Sequence, residues 1–193
     1  GRFRSVGAVA VGADGSVYVA DGRDRIDRFA ADGTLFMTIG GPGTGPAASM
    51  DRAQKPGDYA GKILRIEPDG SVPDDNPIPG SPVWSLGHRN PQGIAWDDAG
   101  TMYAAEFGQD TWDELNVIEA GDNYGWPTVE GTADDERFTD PVQQWAPDEA
   151  SPSGIAIDDG SIWIANQRGE RLRQVVLDGD TVARLGGDEF AVL

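Results

Sequence analysis

The chain has 193 residues, with 33 acidic against 15 basic side chains and a formal charge of −18, which argues against nucleic acid or an anionic membrane surface as a partner. It has no Cys, so disulfides, thiolate catalysis and Cys-ligated metal centres are excluded. An apolar content of 38% and six Trp separate it from solvating acidic tails.

No apolar run approaches the ~18 residues of a membrane span, and no signal-peptide pattern opens the chain. A start at Gly1 rather than Met leads us to expect a processed product or a fragment.

In chain order, one pattern returns three times. Val9-Ala10-Val11 passes through Asp14-Gly15-Ser16 into Val17-Tyr18-Val19-Ala20-Asp21. Ile94-Ala95-Trp96 passes through Ala99-Gly100-Thr101 into Met102-Tyr103-Ala104-Ala105-Glu106. Ile155-Ala156-Ile157 passes through Asp159-Gly160-Ser161 into Ile162-Trp163-Ile164-Ala165-Asn166. A short apolar run, an Asp/Gly turn and a second run with an aromatic predict a β-hairpin buried on both faces.

A more polar hairpin is expected after each one. Gly33 lies 18 residues beyond Gly15, and Gly179 lies 19 beyond Gly160. Arg25-Ile26-Asp27-Arg28-Phe29 and Arg171-Leu172-Arg173-Gln174-Val175 alternate as half-exposed strands do. In the middle copy, Glu114-Leu115-Asn116-Val117-Ile118 precedes Gly121-Asp122-Asn123. Two hairpins make a four-stranded antiparallel blade, so the predicted fold is an all-β propeller.

The longer gap between repeats holds an isolated outer-type hairpin, Lys62-Ile63-Leu64-Arg65-Ile66 turning at Pro68-Asp69-Gly70-Ser71. The expectation is three and a half to four blades in one propeller over 1–193, incomplete by length since closed rings use four to eight blades of ~40–50 residues. The Pro-rich stretches Pro73 to Pro82 and Pro127 to Pro152 are expected to be surface loops between blades.

Gly87-His88-Arg89-Asn90-Pro91-Gln92-Gly93 is the most informative segment. It sets the sole His, an Arg and an Asn before a strand, where an imidazole, a planar fork of donors and an amide can meet an anionic ligand. The alternative is that His88 and Asn90 tie down a tight turn before Pro91.

Further motifs follow in order: Ala105-Glu106-Phe107-Gly108, Asp113-Glu114-Leu115-Asn116, Gly121-Asp122-Asn123-Tyr124-Gly125-Trp126-Pro127, Ser151-Pro152-Ser153-Gly154 and Arg168-Gly169-Glu170-Arg171-Leu172. With Gly61 to Ile66 and Trp84 to Gly93, this series over 53–178 resembles the soluble pyrroloquinoline quinone (PQQ)-dependent sugar dehydrogenases, the glucose/sorbosone or aldose sugar dehydrogenase family.

The resemblance implies a six-bladed propeller that holds PQQ and Ca²⁺ in a central polar site. It implies oxidation of aldoses at the anomeric carbon by hydride transfer to the quinone, with a separate electron acceptor, in the periplasm or outside the cell. The implied cofactor contacts are Arg89, Asn90 and Gln92, with a looser match at Arg168. The implied Ca²⁺ ligands are the carbonyls of Gly108 and Gln109, and Asp113 with Glu114 form a candidate second Ca²⁺ site. Oxygen donors suit Ca²⁺, and Arg suits an anionic quinone.

The sequence also departs from that family. Arg4 stands where the resemblance would put the catalytic His, and guanidinium cannot act as a base. A later blade with further Arg contacts has no counterpart. Residues 1–45 resemble an NHL-type blade. The terminal segment 179–193 is of uncertain origin: its last 14 residues, Asp180 to Leu193 with Gly186-Gly187-Asp188-Glu189-Phe190, resemble the signature hairpin of diguanylate cyclases, and the alternative is a last strand. A non-catalytic NHL-like binding module is therefore the rival reading.

Gly57-Asp58-Tyr59-Ala60-Gly61-Lys62 falls one residue short of a P-loop, and Asp74-Asp75, Asp97-Asp98 and Asp134-Asp135 fit turns. Apolar end blades, Val9 to Val19 and Ile162-Trp163-Ile164, predict exposed faces and self-association.

Overall fold

The computed structural model describes residues 6–11, 17–21, 25–28, 34–41, 50–67, 69–178 and 181–183, the first three stretches and the last by backbone course alone. Their strands form four antiparallel sheets. The first is β1 (Val6–Val11), β2 (Val17–Asp21) and β3 (Arg25–Arg28); the second is β4 (Leu35–Ile39), β5 (Lys62–Ile66) and β6 (Val83–Leu86). The third is β7 (Pro91–Trp96), β8 (Met102–Glu106), β9 (Asp113–Ile118) and β10 (Gln143–Trp145). The fourth is β11 (Pro152–Asp158), β12 (Ser161–Asn166), β13 (Arg171–Asp178) and β14 (Thr181–Ala183).

Each sheet is a meander, with chain neighbours as sheet neighbours. The first strands of successive sheets gather, β4 beside β7 and β7 beside β11. That is the arrangement of β-propeller blades.

Local chemistry sets the hairpins. Asp158 pairs with Ser161, and Asp159 (φ 44°) with Gly160 (φ 66°) supplies the two positive dihedrals of a primed turn. At the β7–β8 turn, Asp97 Oδ1 accepts the N–H groups of Ala99 and Thr101, as turn Asp residues do.

Period-two alternation then fills both sides of β8. Tyr103 and Ala105 join Leu115, Ile162, Ile164 and Val175 in one core between the third and fourth sheets. Met102 and Ala104 join Ile63, Ile118 and Tyr124 in another, between the second and third. All five β8 residues are therefore buried, and each large apolar side chain contributes roughly 1.5–3 kcal/mol.

Several expectations change. The strand after Gly33 does not close a hairpin on β3; β4 pairs with β5 instead. Phe36 explains the choice, for its ring lies 5.3 Å from Trp84 and 5.2 Å from Trp96, a burial that pairing in the first sheet would forfeit. Lys62–Ile66 is accordingly the central strand of the second sheet, flanked by β4 and β6, and the Pro73 to Pro82 stretch connects strands within one blade.

In the third sheet, Gly121-Asp122-Asn123 is not the outer turn. Asn123 bridges to Leu86 of the second sheet, and the partner of β9 is β10, which lies inside the supposed Pro127 to Pro152 loop. The two repeat hairpins whose side chains are described, β7–β8 and β11–β12, are buried mainly in their second strands: β11 has exposed Ser153, Gly154, Ala156 and Asp158. Ile162 and Ile164, expected on an open end face, are fully buried, because that side of β12 faces the third sheet. Of the NHL-like stretch 1–45, β1–β3 are described by backbone alone and β4 joins the second sheet; the Gly186 to Leu193 segment lies outside the described residues.

The central strand of the second sheet begins with a buried ammonium. Lys62 is fully enclosed, and Nζ donates to the carbonyls of Arg52, Ala53 and Ala60 at 3.1, 2.7 and 2.9 Å. Burial pulls its pKa down to about 8. Lys62→Met keeps the length but leaves the Ala60 carbonyl with no donor among the described residues, while Arg52 and Ala53 keep the N–H groups of Lys55 and Gly87, so a loss of about 1–3 kcal/mol is expected. Urea unfolding measures it; an unchanged midpoint would show that the Ala60 carbonyl finds another partner.

Candidate functional site

Residues 87–90 are tied down on every side before β7 begins. Gly87 takes φ 78°, and a Cβ there would meet Asn123 Oδ1 at 2.1 Å, so only glycine fits. Gly87 N–H donates to Ala53, His88 N–H to Gly61, Gly41 N–H to the Arg89 carbonyl and Phe107 N–H to the Asn90 carbonyl.

His88 is fully enclosed and stacks on Tyr124 with centroids 4.7 Å apart. Its Nδ1 lies 2.9 Å from Glu106 Oε2 and its Nε2 lies 2.8 Å from Ser85 Oγ. Glu106 Oε1 accepts the Arg89 N–H. A carboxylate accepts, so Nδ1 carries a proton toward Glu106, while Nε2 meets the Ser85 hydroxyl, which can donate or accept. The order Ser–His–Glu matches a hydrolase triad, but Ser85 and His88 are completely buried and no substrate reaches them. His88 holds the turn, as the alternative reading of the motif has it, and thereby presents Arg89.

The Arg89 guanidinium is the focus of the cluster. Nε donates to Gln109 Oε1 and NH1 to the Phe107 carbonyl, both at 3.2 Å, and the guanidinium lies 4.8 Å from the Phe107 ring centre. Burial lowers its pKa while Glu130, Glu106, Asp113 and Asp110 oppose the shift, and it stays charged. Arg168, exposed on the turn after β12, reaches the same ring at 5.8 Å. Asn90 lies next to Gly40, where a Cβ would meet its Oδ1 at 2.7 Å.

The structure thus brings Arg89, Gln109 and Arg168 together around Phe107, with Asn90 next in the chain. Gln92 is exposed on β7, with no hydrogen bond to that group among the described residues.

Residues 108–114 continue the chain from Phe107. Asp113 is fully buried; Oδ1 accepts Gly108 N–H at 2.8 Å and Oδ2 accepts Ser151 N–H at 2.6 Å. Burial raises its pKa despite these bonds. Glu114 Oε1 accepts Gly131 N–H at 2.6 Å and Oε2 accepts Asn116 Nδ2 at 3.1 Å; burial, then the facing Glu106, push it up to about 8. The pair proposed as a second Ca²⁺ site therefore serves backbone and amide donors on two different sides, and no cluster of three His, Asp or Glu with metal-binding geometry occurs among the described residues.

The carbonyls of Gly108 and Gln109 accept no hydrogen bond among the described residues. A Cβ at Gly108 would lie 1.7 Å from the Trp112 carbonyl oxygen, so this segment folds too tightly for any other residue.

Sequence reasoning missed Phe107, Ser85, Glu130 and the roles of Glu106 and Asn166. A signal existed for the last two. Glu106 and Asn166 occupy one repeat position, opposite Pro91 and Pro152, at the ends of buried strands where polar residues need a reason. Asn166 is 5% exposed with an unpartnered Oδ1. It lines an open pocket of ≈ 510 Å³ with Ser153, Gln167, Glu170 and Leu172, on the turn that carries Arg168.

Blades whose strand-end loops gather two guanidinium groups and free carbonyls define a propeller with a polar loop-face site. The chain belongs to the glucose/sorbosone dehydrogenase family, whose family model matches residues 21–185. It is 47% identical over 83 residues to quinoprotein glucose dehydrogenase B of Acinetobacter calcoaceticus, covering 42% of this chain and 17% of that protein. It is 37% identical over 108 residues to the aldose sugar dehydrogenase YliI of Escherichia coli, covering 51% and 27%.

Among solved structures, the PQQ-bound aldose sugar dehydrogenase of Streptomyces coelicolor superposes with a TM-score of 0.74 at 46% identity, covering 95% of this chain and 47% of that one. The chain thus spans less than half the length of each. Among the described residues no helix is long and apolar enough to cross a membrane.

Proposed function

We propose that the chain forms the quinone- and cation-binding part of a PQQ- and Ca²⁺-dependent aldose dehydrogenase that works in the periplasm or outside the cell and passes electrons to a separate acceptor. The observation that carries this reading is the convergence of Arg89, Arg168 and Gln109 on Phe107 beside a segment with free carbonyls.

The residues present fit the two groups. A polyanionic quinone matches a half-buried and an exposed guanidinium flanking one aromatic ring. A hard cation matches carbonyl oxygens that accept no hydrogen bond among the described residues, those of Gly108 and Gln109. Bound PQQ supplies the two-electron acceptor for hydride leaving the anomeric carbon of an aldose.

The chain's own contribution is binding and orientation. Arg89, fixed through its backbone by Glu106, would pair with anionic oxygens, Asn90 would add an amide, and Arg168 would close the exposed side. The carbonyls of Gly108 and Gln109 would hold Ca²⁺. His88 is enclosed and takes no proton from a sugar. Arg4, at the position expected for the family's base, lies outside the described residues.

Titrating the purified chain with PQQ in the presence of Ca²⁺, read by absorbance, tests the reading; glucose-dependent dye reduction then tests turnover. Arg89→Ala is expected to weaken PQQ binding about 10- to 100-fold, the worth of a charge-assisted hydrogen bond. Arg168→Ala, on the solvent side, should cost less. Absence of any spectral change in the unsubstituted chain would remove the quinone and favour a non-catalytic binding module.

A further inference from the structure

A glutamate that no sequence motif singled out organises the carbonyl segment. Glu130 Oε1 accepts the N–H of Gln109. The Asp110 N–H is shared between Oε1 and Oε2 at 3.2 and 3.4 Å, and the Thr111 N–H reaches Oε2 at 2.8 Å. The preceding N–H, of Gly108, goes to Asp113. Four successive amide protons thus end on two carboxylates.

In a trans peptide each N–H points opposite to the carbonyl of the residue before it. With the amides of 109, 110 and 111 turned to Glu130, the carbonyls of Gly108, Gln109 and Asp110 must turn away from it. No hydrogen bond among the described residues ends on these three oxygens, whereas the Phe107 carbonyl next to them is taken by Arg89. A carboxylate at the N–H end also polarises each peptide and raises the negative charge on its oxygen. The outcome is a row of unpartnered, electron-rich oxygens, the donor type that Ca²⁺ takes at roughly 2.3–2.6 Å.

We infer that Glu130 is a positioning residue for the cation site: it touches no ligand but sets the carbonyls of Gly108 and Gln109 by gripping the other ends of their peptides. This rests on the cation reading given under Proposed function. A merely structural role would affect folding and leave Ca²⁺ affinity alone.

The experiment is Ca²⁺ titration of the purified chain by calorimetry, with no quinone and no activity readout, alongside amide exchange of residues 109–111. Glu130→Ala is expected to weaken Ca²⁺ at least tenfold and to speed exchange of these amides. Glu130→Gln keeps an accepting oxygen and should lose about threefold; it decides the matter if the alanine variant does not fold. Asp140→Asn is the control, since Asp140 grips the amides of Ala133 and Asp134 elsewhere, and should leave affinity unchanged.

Affinity within twofold of the unsubstituted chain in both Glu130 variants overturns the role of Glu130 and leaves the cation site standing. Failure of the unsubstituted chain to take up Ca²⁺ overturns the cation site itself, and this role with it.

Discussion

Replacing His88 by alanine is expected to destabilise the protein by about 3–5 kcal/mol, the range for breaking a buried pair from one side. Three losses add up at one point. Glu106 keeps its bond from the Arg89 N–H but loses the imidazole on Oε2, and the Ser85 hydroxyl loses its only partner among the described residues. Tyr124 loses a ring stacked at 4.7 Å, and a cavity remains in a region with no solvent access.

Because Glu106 grips the Arg89 backbone, quinone affinity should fall together with stability. The double variant with Glu106→Gln separates charge from packing. Removing the orphaned carboxylate should return part of the loss, so the two substitutions should cost clearly less together than their sum. Urea unfolding of the four proteins reads the coupling, and simple additivity would show that the His88–Glu106 contact carries no special weight.

Stability should also fall as pH rises from about 5 to 8, through Glu114. Glu106 and Glu114 face each other across β8 and β9, both buried, and like charges opposite one another in a dry sheet repel. Burial and Glu106 raise Glu114 to about 8. Between its ordinary range and that value the folded chain holds a proton that the unfolded chain has released, so each rise in pH favours unfolding, by up to about 1.4 kcal/mol per unit. The stabilisation is whole below the unfolded pKa and gone above the folded one.

Glu114→Gln mimics the protonated acid without titrating, and should flatten this part of the profile and exceed the parent in stability at pH 8. Denaturation midpoints at pH 5, 6.5 and 8 for both proteins measure it. An equal slope in the two would place the charge on Glu114 throughout and refute the shift.

Much of the fold was written locally. The Asp-Gly turns, the apolar runs on each side and their threefold return predicted hairpins and blades, because turn dihedrals and period-two burial act between near neighbours in the chain. The motif from Gly87 to Gly93 marked the site for the same reason: its glycine, its Pro and its charged residues are consecutive. Family likeness added Arg168 and the carbonyls of Gly108 and Gln109, which no spacing argument reaches.

Tertiary structure decided the rest. Which sheet receives Leu35–Ile39 depended on Phe36 meeting Trp84 and Trp96, residues 48 and 60 positions away, and a local turn signal at Gly33 carries no information about them. Asp113 and Glu114 form a candidate Ca²⁺ pair by likeness, but the donors that Ser151 and Gly131 place on their oxygens come from distant positions that the motif does not name. Glu130 stood in no motif, since its meaning lies in three amide protons about twenty residues earlier. Periodicity records which face of a strand is buried; it does not record which distant donor a buried carboxylate will find, and desolvation makes that partner decisive.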